Sequence, residues 1–261
     1  MNYLGYRPAD EATPFADFYN PEMASLPTHV VRALELGPQA EPLLPAFGDV
    51  AALLDDGCQP TENGFGRLRR GGFQVSVRTD MPGVAPEMWS WWFGWHGCDA
   101  RRYKLWHPRA HVAARWRDGG SGPGYIGRTS LVEEYLGAQF TRAAISFVPP
   151  ASIGLDEGRL NGDVAICARV GSGDLPVDVG WLVHHVRPTA WGSEMRSRFW
   201  MGGRHVALRG RTSVANRVLA PVAERQLPDP RDLLVHCAQE MNHLAGFLPD
   251  LYRTFAAGAQ S

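Results

Sequence analysis

Near the end of the chain the apolar positions recur at helical spacing, and through its middle they recur at strand spacing. Leu233, Cys237, Met241, Leu244 and Leu248 form one buried stripe of an amphipathic helix. Asp229 can cap that helix, Pro230 suits its first turn and Pro249 limits its far end, so the pattern predicts a helix from 230 to about 247. Two polar residues, His236 and Glu240, lie four positions apart on one edge of the stripe. A carboxylate there is costly to desolvate unless a cation compensates it.

In the middle of the chain Phe73, Val75 and Val77 alternate with polar residues and predict a strand. Further strands are predicted over 102–106, halted by Pro108, and over 130–137, 140–148, 164–170, 177–187 and 194–201. The stretch 86–95 is compatible with a short buried helix opened by proline, although its apolar run has no clear period. A short helical connection is read at 213–223. The first 66 residues are rich in proline and glycine, with short helices at Thr28–Leu36 and near 50–54. Meandering strands followed by one long helix predict an α+β fold, in which an antiparallel sheet buries one face against the helix. A curved sheet around that helix would enclose a cavity facing His236 and Glu240. The expected division is an N-terminal arm or subdomain over 1–66 and a main domain over 67–261.

Composition narrows the function more than the fold. With 261 residues, 44% hydrophobic and 20% charged, the chain is an ordinary globular protein able to bury a core without staples. A net charge of -1 gives no attraction for nucleic acid or a membrane surface. Cys58, Cys98, Cys167 and Cys237 are scattered without a C-x-x-C pair, which argues against thiolate metal sites and redox motifs. No signal peptide or membrane-spanning run is evident, so the cytoplasm is the expected location. The tryptophans Trp89, Trp91, Trp92, Trp95 and Trp106 suit either cavity walls or core filling.

The chemistry-bearing residues fall in four places. His236 and Glu240 can both reach one metal ion. His107 and His111 flank Pro108, which disfavours an uninterrupted helical pair, so only one of them is expected to be a ligand. On a strand, Glu133 and Glu134 face opposite ways, and so do His184 and His185. Taken singly, each histidine has an ordinary structural role and each glutamate is ordinarily solvated. The absence of an H-E-x-x-H word counts against the common zinc peptidases.

Taken in order, several words carry a resemblance. They are Trp91-Trp92-Phe93-Gly94-Trp95-His96-Gly97, the run from Arg102 through Trp106-His107-Pro108 to His111, Val132-Glu133-Glu134-Tyr135-Leu136-Gly137, Glu194-Met195-Arg196-Ser197-Arg198-Phe199-Trp200, and His236-Cys237-Ala238-Gln239-Glu240-Met241. This set, over roughly 70–250, resembles the 2,4-diacetylphloroglucinol hydrolase family, which includes phloretin hydrolase. The resemblance implies a helix-grip, Bet v 1-like or START-like fold. It also implies hydrolysis of the carbon–carbon bond between an acyl group and a polyhydroxylated aromatic ring, that is, of a small aromatic ketone. One Zn2+ per chain is implied on His111, Glu134, His236 and Glu240, with His107, Glu133 and His243 as replacements. Glu134 is thereby counted with the catalytic residues, alongside Tyr103 and His184, with His185 as the alternative to His184. At two substrate-binding positions the chain departs from the family: Ala114 stands for an asparagine and Phe199 for a tyrosine. Both departures remove groups that would hold ring oxygens, so poor turnover of diacetylphloroglucinol is expected, and better turnover of a ring with fewer free hydroxyls or a larger apolar acyl chain. A non-catalytic binder of small aromatics and a zinc ester or amide hydrolase are the competing readings, and a homodimer is left open.

Overall fold

The computed structural model describes residues 2–122, 124–209 and 227–256. The helix read at 213–223 lies outside the described residues. Among the described residues nine strands form one antiparallel sheet: β1 (Gly64–Arg67), β2 (Phe73–Pro82), β3 (His111–Trp116), β4 (Thr129–Leu136), β5 (Gln139–Val148), β6 (Val164–Ser172), β7 (Val177–Thr189), β8 (Gly192–Met201) and β9 (Ala207–Leu208). The order is β1-β2-β8-β7-β6-β5-β4-β3, with β9 beside β7. Five helices accompany it among the described residues: α1 (Thr28–Leu36), α2 (Pro86–His96), α3 (Ala100–Trp106), α4 (Pro230–Ala245) and α5 (Leu248–Phe255). None is long and apolar enough to cross a membrane.

α4 is the predicted amphipathic helix. The Asp229 side chain accepts from the Arg231 N–H, and Pro230 occupies the first turn. The stripe residues Cys237, Met241, Leu244 and Leu248 are all fully buried. The helix packs on β1 and β2 near one end of the strand order and on β4 near the other, so the sheet must wrap it. This is the helix-grip architecture. Pro249 falls in the first turn of α5 rather than closing α4, which ends at Ala245. The β4–β5 hairpin ties the sheet to the start of α4: Gly137, at φ +59°, leaves no room for a side chain because Asp232 occupies that space.

Three sequence expectations need correction. Residues 102–106 are helical, within α3, and not a strand. Asp99 caps this helix by accepting from the Arg101 N–H, and Tyr103, Lys104, Leu105 and Trp106 are all buried. Lys104 lies on this buried helix, and its ammonium donates to the Gly5 carbonyl at 3.0 Å. Second, β3 carries His111 and has no counterpart in the predicted strands, because a bulge breaks its alternation. Third, the sheet does not leave its whole outer face to water. β8 is buried along nine of its ten residues. Its inner residues Met195, Phe199 and Met201 join the main core, while Trp200 joins a second core with Val50, Leu53, Cys167 and Val183. Residues 45–62 cover that outer face, and Glu62 lies between Arg196 and Arg198. β1 straddles position 66/67 and pairs with β2.

Candidate active site

The site is assembled by α3, β3, β4, β7 and α4. His111 opens β3 and is a direct cross-strand partner of Glu134 on β4. His236 and Glu240 come from successive turns of α4. His111 Nε2 lies 3.3 Å from His236 Nε2, 3.6 Å from Glu134 Oε2 and 3.5 Å from Glu240 Oε2. His236 Nε2 lies 3.8 Å from Glu134 Oε2 and 3.7 Å from Glu240 Oε2. A tetrahedral zinc with arms of about 2.0–2.2 Å separates its ligands by roughly 3.3–3.6 Å, close to these five of the six ligand pairs. The sixth pair, Glu134 and Glu240, stands farther apart, and Glu240 lies outside the group of three donors that are mutually within 4.8 Å.

The donor chemistry fits a divalent metal. His111 Nδ1 donates to the Tyr103 carbonyl at 2.9 Å, which leaves the Nε2 lone pair aimed at the cluster. His236 is likewise hydrogen-bonded to the Tyr135 main chain. Desolvation lifts the Glu134 carboxyl to about 7, against the lowering effect of the Tyr103 hydroxyl, and desolvation with the nearby Glu134 charge lifts Glu240 well above the usual range. Burial holds His236 down to about 4, and burial together with the neighbouring His236 holds His111 well below its ordinary value. No lysine or arginine is among the groups that shift either glutamate. Two buried carboxylates beside two neutral imidazoles are what a divalent cation compensates, and a donor set without thiolate suits a catalytic rather than a closed structural site. Three of the donors, on His111, Glu134 and His236, lie within 4.8 Å of one another.

Glu134, His236 and Glu240 open onto a cavity of about 510 Å³, within the range of small-ligand sites, while His111 closes the cluster from behind. Tyr103 stacks on His111 with ring centroids 3.7 Å apart, and its hydroxyl donates to Glu134. Burial, together with the Glu134 charge and this hydrogen bond, holds the phenol well above its ordinary pKa. His184 projects from β7 into the cavity. Its Nδ1 is 2.8 Å from Ser197 Oγ on β8, and burial pushes its pKa down to about 3. Ser197 faces His184 across the β7–β8 ladder. It stood inside the Arg-Ser-Arg word, but only the strand register reveals it as a partner. Phe199 lines the cavity edge-on to His184, and Ala114 is buried opposite Val132, itself a wall residue. Of the five tryptophans considered, Trp106 lines the cavity; Trp89 and Trp92 are fully buried in the core, and Trp91 and Trp95 pack against it.

The alternative residues lie elsewhere. His107 stacks on the outside of His236 at 4.8 Å. Glu133 points the other way, toward Asn2 and Arg142. His185 faces the outer side and meets Asp163 at 2.7 Å. His243 lies two turns along α4 from His236, against Phe247.

The model of the DAPG hydrolase PhiG domain family matches residues 43–253. The chain belongs to this family. A 2,4-diacetylphloroglucinol hydrolase from a Pseudomonas species is 31% identical over 279 residues, spanning 98% of this chain and 93% of the relative. Phloretin hydrolase from Eubacterium ramulus is 28% identical over 271 residues, spanning 95% and 93%. Solved structures similar to the chain include human STARD10, at 12% identity and a TM-score of 0.39, covering 92% of this chain and 88% of that one. As a member of the DAPG hydrolase PhiG domain family, the chain is a hydrolase of the carbon–carbon class that its sequence words imply. The matched region contains every residue of the cluster as well as Tyr103, His184 and Ser197.

Proposed function

We propose that this chain is a zinc-dependent hydrolase that cleaves the carbon–carbon bond between an acyl group and a polyhydroxylated aromatic ring, releasing a carboxylic acid and the deacylated ring. The observation that carries the reading is the convergence of His111, Glu134, His236 and Glu240 on the wall of an apolar cavity that also presents His184. The names of the two hydrolase relatives support the substrate class.

Hydroxyls ortho and para to the acyl group let the ring adopt a keto form, so that cleavage resembles that of a 1,3-diketone. The departing ring carbon must then gain a proton. Zinc, when bound by the four donors, would polarise an oxygen and lower the pKa of water toward about 7. His184 is placed to move the ring proton. The Ser197 hydroxyl can either donate to Nδ1 or accept from it, so the imidazole can exchange tautomers as the proton passes. Tyr103 donates its hydroxyl hydrogen to Glu134 in a hydrogen bond, so toward substrate its oxygen is an acceptor for a ring hydroxyl. Phe93, Trp106, Phe147 and Phe199 supply apolar walls for ring and acyl group.

Ala114 and Phe199 offer no polar group to the ring. A pocket that pairs fewer hydroxyls discriminates less strictly among them. The substrate is therefore a ring with fewer free hydroxyls, or one bearing a larger apolar acyl chain, in preference to diacetylphloroglucinol. Mass spectrometry of products from a panel of acylphenols tests this. Cleavage of such ketones to acid and free ring supports the reading. No cleavage of any member by zinc-loaded protein would sink it, and efficient cleavage of diacetylphloroglucinol alone would refute the altered preference.

A further inference from the structure

His96 belongs to a sequence word for which the reaction above has no use. It ends α2, is 3% exposed and lines the cavity together with Tyr103, Trp106 and His184. Its Nδ1 lies 2.8 Å from the Trp92 carbonyl oxygen. A carbonyl can only accept, so Nδ1 carries the ring proton and Nε2 presents a lone pair. Among the described residues no group donates to Nε2. The ring is held in place by stacking on Trp92 at 5.0 Å and on Tyr103 at 5.8 Å, with the edge of Trp106 at 5.3 Å. Burial lowers its pKa to about 4, so it remains a neutral acceptor through the neutral range. Nε2 is not sealed in the core: it is open to the cavity and borders the space where a ligand would sit.

We propose that His96 recognises a phenolic hydroxyl of the substrate ring, the O–H donating to Nε2. The inference rests on the substrate class proposed above and adds a specificity-determining residue to it. Its chemistry has a definite sign. The Tyr103 proton is committed to Glu134, so Tyr103 also offers an acceptor, and Phe199 and Ala114 offer nothing. This wall of the cavity therefore asks for donors. A free hydroxyl satisfies it, whereas an ether oxygen leaves Nε2 unpaired and adds a methyl group.

The test uses the full chain with its metal, and phloroglucinol and its trimethyl ether as probes. Binding is read from quenching of the intrinsic tryptophan fluorescence. Wild-type protein should prefer the phenol by about tenfold or more, the scale of one buried hydrogen bond left unmade. His96→Phe should lower that ratio several-fold at unchanged metal content, the remainder being due to the Tyr103 acceptor, and His96→Gln, whose amide oxygen accepts, should restore part of it. A wild-type ratio near one, or a ratio unchanged in His96→Phe, would overturn the proposal. If His96→Phe does not fold, His96→Ala is read by the same two outcomes. Turnover separates this inference from the reaction it rests on. Phenol preference that follows His96 without cleavage of any acylphenol defeats the reaction but not the recognition. Cleavage of acylphenols with a His96-independent ratio defeats the recognition but not the reaction.

Discussion

His111 and Glu134 are direct partners at the end of the β3–β4 ladder, and the register slips by one residue immediately after them, between His111 and Ala113. The slip is a β-bulge. It lets His111 and Ala114, an odd number of residues apart, share the inner face, where Glu134 and Val132 oppose them. Two metal-ligand candidates more than twenty residues apart are thus fixed by backbone pairing, and α4 needs only to bring His236 and Glu240 against them.

Tyr103 supports this pair twice, with a backbone acceptor for His111 and a hydroxyl for Glu134. Tyr103→Phe keeps the first and loses the second. Metal affinity or activity should fall by about 10- to 100-fold, as for other groups that orient ligands from behind. Metal titration of the apoprotein measures it, and wild-type values for both quantities would show that the hydroxyl has no part in the site.

His184→Ala should leave metal content unchanged and lower kcat by about 100-fold or more if the residue transfers a proton. His185→Ala should leave kcat near wild type, because that ring faces Asp163 on the outer side of the sheet. Steady-state kinetics with parallel metal analysis decides between them, and the reverse ranking would move the proton-transfer role to His185.

That His184 and His185, like Glu133 and Glu134, face opposite ways was legible in the sequence from strand alternation; which member of each pair points inward was not, and came only from the family resemblance. The His236/Glu240 pair was legible because helical period is a strong signal over sixteen residues of α4. The short α3 was not, because burial all round erases periodicity and the Asp99 cap carries the only local signal. Nor was β3, because a bulge breaks the alternation on which strand prediction depends. The second core was invisible for another reason. Arg196 and Arg198 look like solvent-facing positions of β8, yet both are 1% exposed or less, paired with a carboxylate contributed by a distant segment.

That carboxylate, Glu62, makes a prediction about stability. It meets Arg196 at 2.7 Å and also pairs with Arg198. Despite the opposing cost of burial, the two guanidiniums lower its pKa from 4.5 to about 2. A lowered folded-state pKa gives stability that is full above about pH 4.5 and is lost as the pH falls toward about 2. Glu62→Ala leaves two buried arginines unpaired and should cost about 3–5 kcal/mol at pH 7. Denaturant unfolding across that pH range measures both effects. A loss below about 1 kcal/mol, the scale of an exposed pair, would contradict the account.

The central claim is that His111, Glu134, His236 and Glu240 together hold one catalytic zinc. Its most direct test is elemental analysis of purified protein and of its single alanine variants at these four positions, each paired with an acylphenol cleavage assay. The account predicts one zinc per wild-type chain, and loss of metal and cleavage together in each variant, with cleavage by the wild type abolished by a chelator and restored by added zinc. Cleavage that persists in metal-free protein, or full zinc occupancy retained in Glu240→Ala and His236→Ala, would contradict it.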